Sequence, residues 1–167
     1  LWCNAIGSYD GGVNFGSPGL ANAPCDDGGI TIYDIRDPES EVQVAIDDTV
    51  SLNNVIVTAA ANNFVFVQEP EGNTFGGIFV DEGDFEVEGL TIGDRVNLTG
   101  VYTENEGNFA GFSTITLSAE PTTTASDILL RPRRVDISDF NEDAIEEIES
   151  MLIILGAEDD DEPEVLV

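Results

Sequence analysis

Three carboxylate runs are the residues best supplied for chemistry: Asp81-Glu-Gly-Asp84, Asp136-Ile-Ser-Asp-Phe-Asn-Glu-Asp143 and the acidic stretch 158–162. Carboxylates at such spacings offer oxygen ligands to a hard cation, which makes calcium the candidate cofactor. Asp81, Asp84, Asp136, Asp139 and Asp143 are the candidate ligands. No run has the glycine and glutamate spacing of an EF-hand loop, and a solvated acidic surface is the plainer reading of each. Catalysis is poorly equipped. The chain has no histidine, so the commonest general base and neutral metal ligand are missing. It has neither a Gly-x-Ser-x-Gly elbow nor a phosphate-cradling loop, and no pair of carboxylates is singled out for glycoside hydrolysis. A non-enzyme is expected.

Charge narrows the partners. Thirty-four acidic residues against five arginines leave a net charge of −29. Affinity for nucleic acid comes largely from cations that neutralise phosphates, so this surface repels that class of ligand. Three of the five cations stand together at Arg131, Arg133 and Arg134. As a local counterweight they merely balance the acidic run that follows. As an intermolecular contact they dock into the acidic surface of another copy, and charge complementarity favours a homo-oligomer or polymer. Val165, Leu166 and Val167 form an apolar terminal tag suited to strand addition at a neighbour's sheet edge.

Hydrophobic residues make up 41% of the 167-residue chain, enough to bury one core rather than leave an acidic coil. The longest apolar cluster, 151–155, falls far short of the ~18 residues a membrane helix needs. The start shows no leader peptide and no Met, as in a piece of a longer product. Cys3 and Cys25 bracket a segment rich in Gly, Asn and Ser. They pair as a disulfide or stand as two thiols; with no histidine nearby they make a poor zinc site. A structural disulfide places the chain in an oxidising compartment, hence extracellular or at a cell surface. The plain alternative is an intracellular protein of a salt-accumulating organism.

Residues 1–29 read as an irregular arm with aromatic anchors Trp2, Tyr9 and Phe15. From residue 30 the texture becomes β. Apolar and polar residues alternate over 30–35 and 42–46, then over 49–61, with a bulge or bend at Asn53-Asn54 and core candidates Val50, Leu52, Val55 and Val57. Further runs fall at 64–68, 77–80, 95–102 and 109–117. Short strands joined by glycine-bearing turns predict an all-β barrel or sandwich of five strands over 30–120. A threonine-rich linker, 121–126, opens the last segment, 121–167. There Ser138 or Asn141 caps a helix running to about residue 150, with Ala144, Ile145, Ile148 and Leu152 on one face. A strand at 151–155 follows.

Several of these pieces, in order, resemble the bacterial extracellular OB-fold type found beside secreted nucleases and in large surface proteins. They are Ile32-Tyr-Asp-Ile35, Val55-Ile-Val-Thr-Ala59, Phe64-Val-Phe-Val-Gln68, Gly77-Ile-Phe-Val80 and Ile92-Gly-Asp-Arg-Val-Asn-Leu-Thr-Gly100, with Glu149-Ser-Met-Leu-Ile153 beyond. The resemblance spans about two-thirds of the chain and implies a five-stranded OB-like Greek-key barrel. Trp2-Cys-Asn, Gly16-Ser-Pro-Gly19, Asn22 and Cys25 resemble the exit of a lamin-tail-like domain, which implies a preceding domain in the parent chain. OB binders of single strands combine stacking aromatics with a basic groove. Phe64, Phe66, Phe79 and Tyr102 offer the rings, but Arg95 is the lone cation of the central block beyond Arg36 and sits among Glu86, Glu88 and Asp94. The expected function is therefore a non-catalytic extracellular structural or interaction module, with self-assembly into a fibre as its sharpest form. The alternatives are a nucleic-acid-binding domain beside a nuclease and a calcium-stabilised adhesion domain.

Overall fold

The computed structural model describes residues 29–42, 44–105, 112–130, 132–139 and 141–156. Cys3, Cys25, Arg131, Val165, Leu166, Val167 and the acidic run 158–162 lie outside the described residues, as does the arm they belong to or follow.

Five strands close into a barrel: β1 (Thr49–Ala60), β2 (Phe64–Gln68), β3 (Gly77–Asp81), β4 (Arg95–Asn105) and β5 (Phe112–Leu117). Their order is β1-β2-β3-β5-β4, and pairing of β4 back onto β1 completes the ring. Only β3 and β5 run parallel; the other barrel pairs are antiparallel. Period-two alternation builds this core. Val65 and Val67 of β2 and Ile78 and Val80 of β3 are at most 1% exposed and point inward, with Val96, Leu98 and Tyr102 of β4 and Ile115 and Leu117 of β5. Burying them supplies the main favourable term of folding.

The bend in β1 falls where the paired asparagines place it. Register against β4 shifts between Leu52 and Val55, and Asn54 takes φ 62°, which asparagine tolerates better than a branched residue. Asn54 N donates to Asn97 Oδ1 at 2.8 Å, so the disrupted ladder leaves no orphaned donor there. The extra residue keeps Val50 and Leu52 in phase with Val55 and Val57, and one 12-residue strand serves both β4 and β2.

Three expected elements differ. Residues 30–35 are not a strand; Ile32–Arg36 forms a short helix, α1. Thr31 and Asp34 decide this as a capping box: Asp34 N donates to Thr31 Oγ1 (3.3 Å), and Thr31 N donates to Asp34 Oδ2 (2.9 Å). Ile32, wholly buried, joins the barrel core from the helix. Among the described residues of 42–46 no strand forms; Val44 packs on the core while Val42 and Ile46 stay 45% and 56% exposed. The threonine-rich stretch is a strand, β6 (Thr122–Ala125), paired with β4 at Arg95–Asn97. β-Branched threonines suit an extended edge, and β6 takes up the edge of β4 that β5 leaves open.

Beyond it β7 (Arg133–Asp136) pairs in parallel with β8 (Ile153–Gly156), and α2 (Glu142–Ile148) connects them. Asn141 is the cap, its Oδ1 accepting from Ala144 N at 3.0 Å. The helix is shorter than expected, and its apolar face is narrower. Ile148 is buried, Ile145 is 48% exposed, and Leu152 lies past the helix end. Its backbone N there donates to Gln68 Oε1 of β2 at 3.0 Å. No helix among the described residues is long and apolar enough to cross a membrane.

The string Ile92-Gly-Asp94 shows why such a turn precedes β4. Asp94 is 5% exposed, and its Oδ2 accepts from Thr91 N (2.8 Å) and Thr91 Oγ1 (2.9 Å). Gly93, at φ 89°, donates its N–H to Val57 O and accepts from Ile128 N, both at 2.9 Å. The turn thus ties β1, β4 and the exit from β6 together. A hydrogen bond from Ser126, with those from Thr91, holds the Asp94 carboxyl below the ordinary aspartate range. Replacing Asp94 by alanine is expected to cost about 1–3 kcal/mol at neutral pH. A depressed carboxyl contributes stability above its unfolded pKa and loses it as pH falls through the folded value. The gap between wild type and variant should therefore begin to narrow below about pH 4 and go on narrowing as pH falls. Urea midpoints at pH 7 and pH 3 check both statements.

Candidate functional site

Outward positions of an antiparallel sheet that faces water are normally polar. On β2, β3 and β5 phenylalanines take four of them. Phe64 and Phe66 alternate with inward Val65 and Val67, Phe79 with Ile78 and Val80, and Phe112 precedes inward Ser113. Cross-strand register sets Phe66 opposite Phe79, and Phe79 beside Thr114. The rings gather into one partly exposed cluster. Centroids lie 5.1 Å apart for Phe64–Phe79, 5.4 Å for Phe66–Phe79, 5.5 Å for Phe79–Phe112 and 6.4 Å for Phe66–Phe112. The interplanar angles are tilted to edge-on, the arrangement that ring quadrupoles favour.

A carboxylate stands at one end of this face. Asp81 is the cross-strand partner of Phe64, and its Oδ1 accepts from Gly83 N at 3.0 Å. On the inward side, Glu104 has the parity of Tyr102, pairs with Ser113 and accepts from the Tyr102 hydroxyl at 2.7 Å. The carboxylate of Glu149 accepts from Ser113 N at 3.2 Å; burial pushes its pKa up against the opposing pull of Arg36. Tyr102 itself is 4% exposed, and burial, aided by its bond to Glu104, pushes its hydroxyl up to about 12.

Of the four aromatic candidates the sequence offers, Phe64, Phe66 and Phe79 share the outer face, whereas Tyr102 points into the barrel. Its position has the parity of Val96 and Leu98, which line the core. Phe112 completes the cluster; its place two residues ahead of Thr114 and three ahead of buried Ile115 is the signal that could have found it.

The carboxylates considered as metal ligands lie on separate elements. Asp81 ends β3, and Asp84 belongs to the loop after it, where it lines an open hollow of about 260 Å³ with Asn62, Glu82, Phe85, Glu86 and Glu88. Asp136 ends β7, where its Oδ1 accepts from Ser138 N (2.8 Å) and Ser138 Oγ (2.7 Å). Asp139 closes the following 3-10 turn and Asp143 falls in α2. Among the described residues no group of three or more potential ligands is gathered to hold a metal ion. Arg133 and Arg134 lie on β7, Arg133 half-buried and Arg134 exposed. Comparison with protein-family models, with characterised proteins and with solved structures returned no match.

Proposed function

We propose that this protein is a non-catalytic interaction module of an extracellular protein, and that it engages its partner through the phenylalanine face of β2, β3 and β5. The observation that carries the reading is the outward cluster of Phe64, Phe66, Phe79 and Phe112. Apolar surface gathered in one place, rather than scattered, is what marks contact sites on small domains. Aromatic rings also supply much contact area at little cost in side-chain entropy. The strand order and the parallel β3–β5 pairing support the OB-like reading of the barrel, whose sheet face and loops carry binding in that architecture. Extracellular placement rests on the resemblance to surface-protein domains and on the Cys3 and Cys25 pair.

The test is site-specific capture in the native source. A photo-crosslinking phenylalanine analogue at position 79 should trap a discrete partner band. The same analogue at exposed Thr123 on β6, which stands on the far edge of β4, should not. Equal capture at both positions would remove the phenylalanine face from consideration.

A further inference from the structure

We infer that the occupant of this face is a basic polypeptide segment of another protein, an extended stretch whose arginine or lysine side chains stack on the phenylalanine rings. The inference rests on the interaction-face reading above and names the chemistry of the partner. Cations are attracted to the faces of aromatic rings by the ring quadrupole, and arginine stacks best of the natural side chains. Here a carboxylate flanks the rings, Asp81 standing cross-strand from Phe64. None of the described arginines lies on β2, β3 or β5. Arg36 has a side chain only 1% exposed and committed to Glu146 and Glu149; Arg95 is on β4, and Arg133 and Arg134 are on β7.

The net charge of −29 steers cations toward the whole molecule and disfavours two other occupants. Phosphate backbones are repelled, and so is a second copy of equal charge. Geometry favours a chain over a small cation. Same-side side chains of an extended segment repeat every ~6.6 Å, close to the 5.1–6.4 Å between ring centroids. Successive cationic side chains can therefore meet successive rings while Asp81 receives a flanking charge.

Fluorescence anisotropy of the full chain with a labelled peptide of alternating arginine and serine, at physiological salt, tests this. The peptide should bind, while an alternating glutamate-serine peptide and single-stranded oligothymidine should not. Phe66→Leu with Phe79→Leu keeps the apolar area but removes two ring faces. It should weaken peptide binding by about five- to twentyfold, with circular dichroism reporting an unchanged fold. Should that variant not fold, chemical-shift changes at the phenylalanine rings of the wild-type protein on peptide addition read the same contact. Unchanged affinity in the leucine variant, or ring signals that do not move, would mean attraction by the acidic surface at large and would overturn the inference. So would oligothymidine binding as tightly as the peptide. Crosslinking at position 79 separates the two levels: capture there without peptide affinity defeats the basic partner alone, and absence of both defeats the face itself.

Discussion

Gly100→Ala lowers the melting temperature by more than about 10 °C, equivalent to about 3 kcal/mol or more for a domain of this size. Gly100 occupies an inward position of β4, in phase with Val96, Leu98 and Tyr102, and pairs with Val50 of β1 on one edge and Leu117 of β5 on the other. A Cβ there would collide with Ile115 Cγ2 and stand 2.5 Å from Thr116 O and 3.0 Å from Thr116 C. The first obstacle is a side chain; the other two are the backbone of β5. Ordinary overpacking costs about 1–3 kcal/mol because side chains can shift rotamer. Here β4 and β5 would have to part, and in a closed ring β4 is also held by β1, so the strain has no free edge to relax through. Ile115→Ala in the same background should recover little of the loss in urea unfolding. Full recovery would show that the isoleucine, and not the strand, sets the limit.

The barrel was legible because its signals are local. Alternation of period two in 64–68 and 95–102, with glycine-bearing turns between, specifies inward and outward faces wherever one face is buried. The bulge at Asn53-Asn54 was legible for the same reason, since the phase of the apolar residues changes there. The helix at Ile32–Arg36 was not. Apolar residues at positions 30, 32 and 35 fit alternation and a helical turn alike, and Thr31 with Asp34 tips the balance through two hydrogen bonds. The parallel pairing of β3 with β5 joins segments far apart in sequence, so no local pattern announces it. The aromatic face was half legible. Phase shows that Phe64, Phe66 and Phe79 share one side of their strands and that Tyr102 takes the inward side of its own, but only ring closure decides that the strands bring Phe112 to the other three rings. Arg36 was invisible as a structural residue, because its acceptors on Glu146 and Glu149 lie 110 and 113 positions away.

Arg36→Met should loosen the C-terminal unit from the barrel and cost about 3–5 kcal/mol, the usual penalty for removing one partner of a buried ion pair. The guanidinium is a junction. Nη1 donates to Gly77 O of β3 (3.2 Å) and Glu149 O (3.0 Å), and Nη2 donates to Glu146 O (2.8 Å) and Glu146 Oε1 (3.2 Å). It thereby satisfies carbonyls at the C-terminal end of α2, where positive charge is favoured. Its two ion pairs are unequal. The Glu146 side chain is 58% exposed, so solvent screens it and its loss costs little. Glu149, 15% exposed and 3.3 Å from Nη2, would be left as a buried carboxylate next to Glu146 and Glu104 with no cation. Burial already pushes the Glu149 pKa up, and Arg36 is the chief influence holding it down. A carboxyl whose folded pKa exceeds its unfolded one binds the proton more tightly when folded, so stability falls as pH rises through that window. Removing Arg36 widens the window upward, and the deficit of Arg36→Met should shrink as pH drops from 7 toward 4.5. Adding Glu149→Gln should reduce the deficit at pH 7 and flatten its dependence on pH. Hydrogen exchange should show α2 and β8 opening first, since the amides of β1 and β4 depend on the closed barrel instead. A deficit that is the same at both pH values, or exchange that rises uniformly, would mean that Arg36 acts through packing alone and that Glu149 is not the group it neutralises.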